Sequence, residues 1–244
     1  MKTIIEKIRL NPLLSVVTAI LLGILVIQLS RIFGKLVTDQ MSNLSLDTYT
    51  KNVSFKFFML LLSLGFILIL NNGSLKSYGF KKIENLKYLR FILVSTGIII
   101  ASFIIGNMLF NIVLRRAFPP EKAGMGFPDQ SVMQMILTVW IWSSICEEVL
   151  TRGLIQGFIN LQNKIKFLKL SLPVWVSGIF FGMMHLSLLR ADMDVWFISF
   201  IVFNTTVLGL LAAYYREKTN SIYPAIFLHI WANIIGSLPM LLLG

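Results

Sequence analysis

The sequence predicts an all-α membrane protein, a polytopic bundle of seven or eight transmembrane helices in a single domain covering residues 1–244. Three observations carry that expectation. Hydrophobic residues make up 56% of the 244 and charged ones only 14%, and the mean hydropathy is +0.79, more apolar than a soluble domain of this size requires. Apolar runs close to the ~20 residues that a bilayer demands recur along the whole chain. The basic residues gather mainly in the short connections between those runs.

The first run, about Leu13 to Ser30, follows a basic start but no small-residue cleavage site of the Ala-x-Ala kind, and reads as a retained anchor. The second and third span about Phe55 to Leu70 and Phe91 to Leu114. Between Phe118 and Asp129 the breakers Pro119, Pro120, Gly124, Gly126 and Pro128 predict a loop on the outer face. The fourth run, Ser131 to Ile159, exceeds one perpendicular crossing, so it tilts strongly or begins in the interface. Leu172 to Leu189, Val195 to Tyr215 and Ile222 to Leu243 complete seven spans. Asn111, Asn204, Thr205 and Thr206 inside them read as interhelical hydrogen-bonding groups. Arg190, Asp192 and Asp194 read as a solvated connection. No internal repeat or separating linker is present.

A net charge of +11 would point to nucleic acid in a soluble protein, but here positive-inside bias is the simpler explanation, and the lipid bilayer is the partner in place of nucleic acid. Grouping alternate connections puts thirteen basic and three acidic residues on one side, and eight basic and six acidic on the other. Lys51 and Lys56 fall in the second group. The N-terminus is therefore predicted cytoplasmic and the C-terminus outside. Cys146 is the single cysteine, so no intrachain disulfide forms and compartment cannot be judged from pairing.

Against this apolar background the stretch Ser143 to Gly153 stands out, because it places Glu147, Glu148 and Arg152 in the fourth span. Hydrocarbon offers an unpaired charge no hydrogen bond, so such residues face the bundle interior and mark function. At 100° per residue Ser144, Glu147, Glu148, Thr151 and Arg152 share one face. Glu148 and Arg152, at i and i+4, are spaced to pair. Glu147 is then less compensated, which suits a general base acting on water. Taken alone, the cluster reads equally as an ion-pair group that fixes helix packing.

Both histidines also fall within predicted spans, His185 in Phe181-Gly-Met-Met-His185 and His229 in His229-Ile-Trp-Ala-Asn233. At a rise of 1.5 Å per residue, Glu147 and His185 lie about 20 Å from the predicted cytoplasmic ends and His229 about 10 Å, a mismatch that tilt must absorb. Gly153 with Gly157, and Gly178 with Gly182, form small-xxx-small pairs that permit close helix approach.

The motifs Glu-Glu-x-x-x-Arg, Phe-x-x-x-His and His-x-x-x-Asn, in this order, resemble those of the CAAX-protease and bacteriocin-processing (CPBP, or Abi) family of intramembrane proteases. The resemblance covers roughly residues 130–237, a motif-bearing catalytic core, and the combination is specific although each motif alone is weak. It implies an intramembrane endopeptidase hydrolysing a peptide bond of a membrane-associated protein or peptide. Glu147 would activate water and His185 would orient it. His229 and Asn233 would donate to the oxyanion, Glu148 and Arg152 would support the site, and Phe181 would pack.

No cofactor is expected. Zinc held by Glu147, His185 and His229 is the alternative, although no His-Glu-x-x-His element is present. Cys146 points about 100° from Glu147 and reads as a buried inert thiol. A non-catalytic immunity or scaffold protein of the same fold and a proton-coupled transporter are the competing functions. The chain's richness in Lys, Ile and Asn hints at a bacterial source, and so at a plasma membrane.

Overall fold

The computed structural model describes residues 2–40, 48–83, 85–120, 131–190 and 193–243, with side chains at most of them. Among these residues eight helices follow one another. They are α1 (Lys2–Leu10), α2 (Pro12–Gln40), α3 (Thr48–Leu70), α4 (Tyr88–Ala117), α5 (Val132–Phe158), α6 (Leu172–Leu189), α7 (Val195–Thr219) and α8 (Tyr223–Leu243). Six of them, α2 to α7, are long and apolar enough to cross a membrane, and α8 adds 21 apolar-rich residues. The protein is an all-α integral membrane protein, and all seven runs read from the sequence are helices. The loop expected at Phe118 to Asp129 falls largely on residues outside the described ones.

Helix ends follow local chemistry. Ser131 caps α5 by accepting from the Gln134 amide, while the Gln134 side chain accepts from the Ser131 amide, a reciprocal capping box. Ser171 caps α6 with Pro173 in the first turn, where a missing N–H costs nothing. Asn220 ends α7 in the left-handed region at φ 57°. Asp194 caps α7 through the amides of Trp196 and Phe197, and it also pairs with Arg115 at the end of α4. That corrects the solvated connection expected there, since Asp194 is fully buried.

Helix α5 packs against α2, α3, α6 and α8 and is the most buried of the six spanning helices. It is not uniform. Met135–Ser143 and Val149–Ile155 are π-helical, and the α-helical turn Ser144–Glu148 lies between them. Such widened turns recur at functional sites because they re-aim side chains within a continuous helix. The intramembrane Asn and Thr residues behave differently from expectation. Asn204 and Thr206 donate to Phe200 O and Val202 O, Thr205 to Ile201 O, and Asn111 to Asn107 Oδ1, all within their own helices. An acceptor one turn back is within reach of each of these short side chains, so their donors are met locally.

Helices α6 and α7 make the most extensive contact in the bundle. A Cβ at Gly178 would meet the Leu210 backbone N at 2.8 Å, and one at Gly182 would meet Thr206 Oγ1 at 1.8 Å. The small-residue pair read from the sequence is therefore the seam of this contact. Gly65 of α3 has nothing within 4 Å of such a Cβ. Gly178→Leu should destabilise the protein by about 1–3 kcal/mol through overpacking, whereas Gly65→Ala should leave it as stable or slightly more so. Thermal unfolding of the two variants in detergent checks the contrast.

Candidate active site

Four helices bring ionisable side chains to the middle of α5. Glu148 and Arg152 sit one turn apart with no exposed side-chain surface, and Arg152 Nε lies 3.0 Å from Glu148 Oε2. The remaining faces of the guanidinium meet α6. Its Nη1 donates to Ser177 Oγ at 3.4 Å, and the plane lies 4.8 Å from the Phe181 ring centroid, a cation–π contact in a desolvated setting. Ser177 Oγ in turn donates to Thr151 O at 3.0 Å.

From α8, His229 reaches both glutamates. Its Nδ1 is 3.0 Å from Glu148 Oε1 and its Nε2 is 3.7 Å from Glu147 Oε2. The predicted difference in depth is thus absorbed, and the histidine lies between the two carboxylates. A carboxylate only accepts, so Nδ1 carries the proton that binds Glu148. A neutral imidazole then presents a bare Nε2 toward Glu147. Two acceptors face each other, and a shared proton or a water donating to both resolves the contact.

Glu147 has a second partner that the sequence reading placed in an outer connection. Lys56 of α3 is 7% exposed and binds Glu147 Oε1 through Nζ, with its ammonium 5.4 Å from the Phe55 ring centroid. Two anions therefore face two cations, Glu147 with Lys56 and Glu148 with Arg152.

His185 ends the α-helical part of α6 and is half-buried, with Nδ1 2.9 Å from Phe181 O. No direct contact joins it to Glu147 among the interactions described. It meets the rest of the site through Phe181, whose ring centroid lies 5.2 Å from His185 and 5.1 Å from His229, edge-on to both. Phe181 is thus the packing hub of the cluster. Asn233 lies one turn beyond His229, and its amide donates to Val139 O at 3.2 Å and Ser144 Oγ at 3.0 Å. The Val139 carbonyl accepts only, so it fixes the amide's orientation. Both N–H groups of Asn233 are spent on α5. An oxyanion would have to compete for them.

Among the described residues no three His, Cys, Asp or Glu side chains converge as a metal site. Glu147 Oε1 also meets an ammonium, which repels a divalent cation. Cys146 is buried in the apolar cluster with Ala19 and Met59.

Residues 129–235 match the model of the type II CAAX prenyl endopeptidase Rce1-like family. The match covers a little under half of the chain. The matched segment carries Glu147, Glu148, Arg152, His185, His229 and Asn233, whereas Lys56 lies before it. No curated protein and no solved structure matches the chain. Lys56 escaped the sequence reading because it stands at the edge of an apolar run, where snorkelling to the surface is the ordinary fate of a lysine.

Breaking one buried pair leaves the other charge stranded. Arg152→Met should therefore destabilise the protein by about 3–5 kcal/mol. The double variant Arg152→Met with Glu148→Leu should recover much of that loss, which thermal unfolding of the single and double variants measures.

Proposed function

We propose that the protein is an intramembrane endopeptidase of the CAAX-protease type, which hydrolyses a peptide bond of a membrane-associated protein or peptide with water activated by a glutamate and with no metal. The approach of Glu147 Oε2 to His229 Nε2 at 3.7 Å, inside the family-matched segment, supports this most directly. The family's description as a CAAX prenyl endopeptidase supports a membrane-anchored polypeptide as substrate. Lipidated C-terminal tails, bacteriocin precursors and pheromone peptides all fit that class. The charge grouping supports an N-terminus in the cytoplasm, and the richness in Lys, Ile and Asn supports a bacterial plasma membrane.

In this reading a water between Glu147 Oε2 and His229 Nε2 loses a proton to the carboxylate, and its oxygen attacks the scissile carbonyl carbon. The C–N bond then breaks, and the same proton passes to the leaving amine. Lys56 holds Glu147 Oε1, so that Oε2 is the oxygen turned to water. Glu148 holds His229 in the tautomer whose Nε2 accepts, and Arg152 holds Glu148. This shares out the histidine roles differently from the family-derived expectation, because His229 lies nearer to Glu147 than His185 does. His185, half-exposed beyond Phe181, and the spare N–H groups of Lys56 are left to meet the substrate carbonyl, with Asn233 joining once its α5 contacts open.

Glu147→Gln should abolish cleavage, by at least 1,000-fold in kcat, while the protein remains folded in the membrane. Peptides accumulating in membranes of cells that carry the variant identify the substrate. Lys56→Met should lower kcat by 10-fold or more with little change in KM. Chelator treatment should leave activity intact. Undiminished processing by Glu147→Gln would favour the scaffold reading, and recovery of chelated enzyme only on adding zinc would overturn the metal-free mechanism.

A further inference from the structure

A second site of different chemistry lies on the flank of the bundle, where α4 and α7 part to leave a groove of about 560 Å³. Its mouth carries Lys87, Arg90 and Lys218, and no carboxylate is among the described residues that line it. Below the mouth the walls are apolar, with Phe91, Val94 and Ile98 of α4 facing Val207 and Leu211 of α7. The cations stand where α4 begins and α7 ends, beside the exposed rings of Tyr88 and Tyr214, and such tyrosines sit at headgroup level.

The length matters. From Lys218 to Val207 is eleven residues of helix, about 16 Å, and half of a ~30 Å hydrocarbon core is about 15 Å. The groove is therefore one leaflet deep, cationic at the headgroup and apolar along the chain. Three cations lining the mouth at that level favour an anion over a zwitterion. A soluble phosphate would leave the apolar walls uncovered.

We propose that the α4–α7 groove is a binding site for an anionic phospholipid of the leaflet that meets the N-terminal end of α4. Its back wall is shared with the interior. Phe91 and Tyr215 meet edge-to-face at 4.6 Å between ring centroids, and with Leu211 they belong to the packed cluster that contains Phe181, the ring between His185 and His229. A lipid seated there buttresses the helices that carry the candidate active site.

Native mass spectrometry and thermal unfolding of the full-length protein in uncharged detergent, titrated with phosphatidylglycerol or phosphatidylcholine, test the site. Phosphatidylglycerol should stay bound and raise Tm where phosphatidylcholine does not, and added salt should weaken it. The double variant Lys87→Gln, Arg90→Gln should lose at least ten-fold in affinity, and Val94→Trp, which fills the apolar wall, should lose binding with the cations in place. Lys7→Gln, at an exposed position on α1, no residue of which lines the groove, should bind as the wild type does. Equal retention of both lipids overturns the proposal, as does an equal loss in the Lys7 variant, which would mean diffuse surface charge. So does an equal effect of inorganic phosphate, or displacement of the phospholipid by farnesol, which would make the groove a seat for an isoprenoid chain. None of these readouts depends on proteolysis.

Discussion

A charge buried in hydrocarbon must bring its own solvation, and the Glu148–Arg152 pair is the point from which the rest of the bundle follows. Neither side chain exposes any surface. A pair of this kind roughly breaks even in free energy against an apolar substitute, so its effect is arrangement rather than net stability. It requires α5 to be central, α6 to offer Ser177 and the face of Phe181, and α8 to bring His229 to the remaining carboxylate oxygen. The π-helical turn after Glu148 lies where Arg152 must be aimed at those partners. Each contact on α6 and α8 answers a demand set by two residues of α5.

Consecutive glutamates on a helix point about 100° apart and so meet different neighbours. Glu148 is fully buried, with Oε2 facing Arg152 one turn on and Oε1 facing His229 of α8. Glu147 stands between α3 and α8, with one oxygen bound to Lys56 and the other facing an imidazole that does not reach it. This asymmetry separates a structural carboxylate from one with an oxygen to spare, though the two share a residue type and a helical turn. His229 links them, since the proton it gives Glu148 decides which of its nitrogens Glu147 sees.

The seven spans and six of the site residues were legible because a bilayer makes polar residues rare, and rarity inside an apolar run is a strong signal. Glu147, Glu148, Arg152, His185, His229 and Asn233 are all of that kind. The signal failed where a polar residue had two ordinary explanations. Lys56 looked like an end-of-helix lysine, and Asp194 looked like a loop acid although it caps α7 and pairs with Arg115. Asn204 and Thr206 looked like bridges between helices but bond within their own. The π-helical turns left no trace in the apolar pattern, because they alter hydrogen-bond register without altering which residues are apolar.

The position of Lys56 bears on what the family match means. The matched segment contains every glutamate, histidine and asparagine of the site, yet the cation beside Glu147 comes from α3, ahead of that segment. Without α3, Glu147 would lose the ammonium that binds its Oε1 and would be a buried carboxylate without that cation. The hairpin of α2 and α3 packs on α5 over the same turns. The ion partner of Glu147 is therefore supplied from outside the segment recognisable by its motifs.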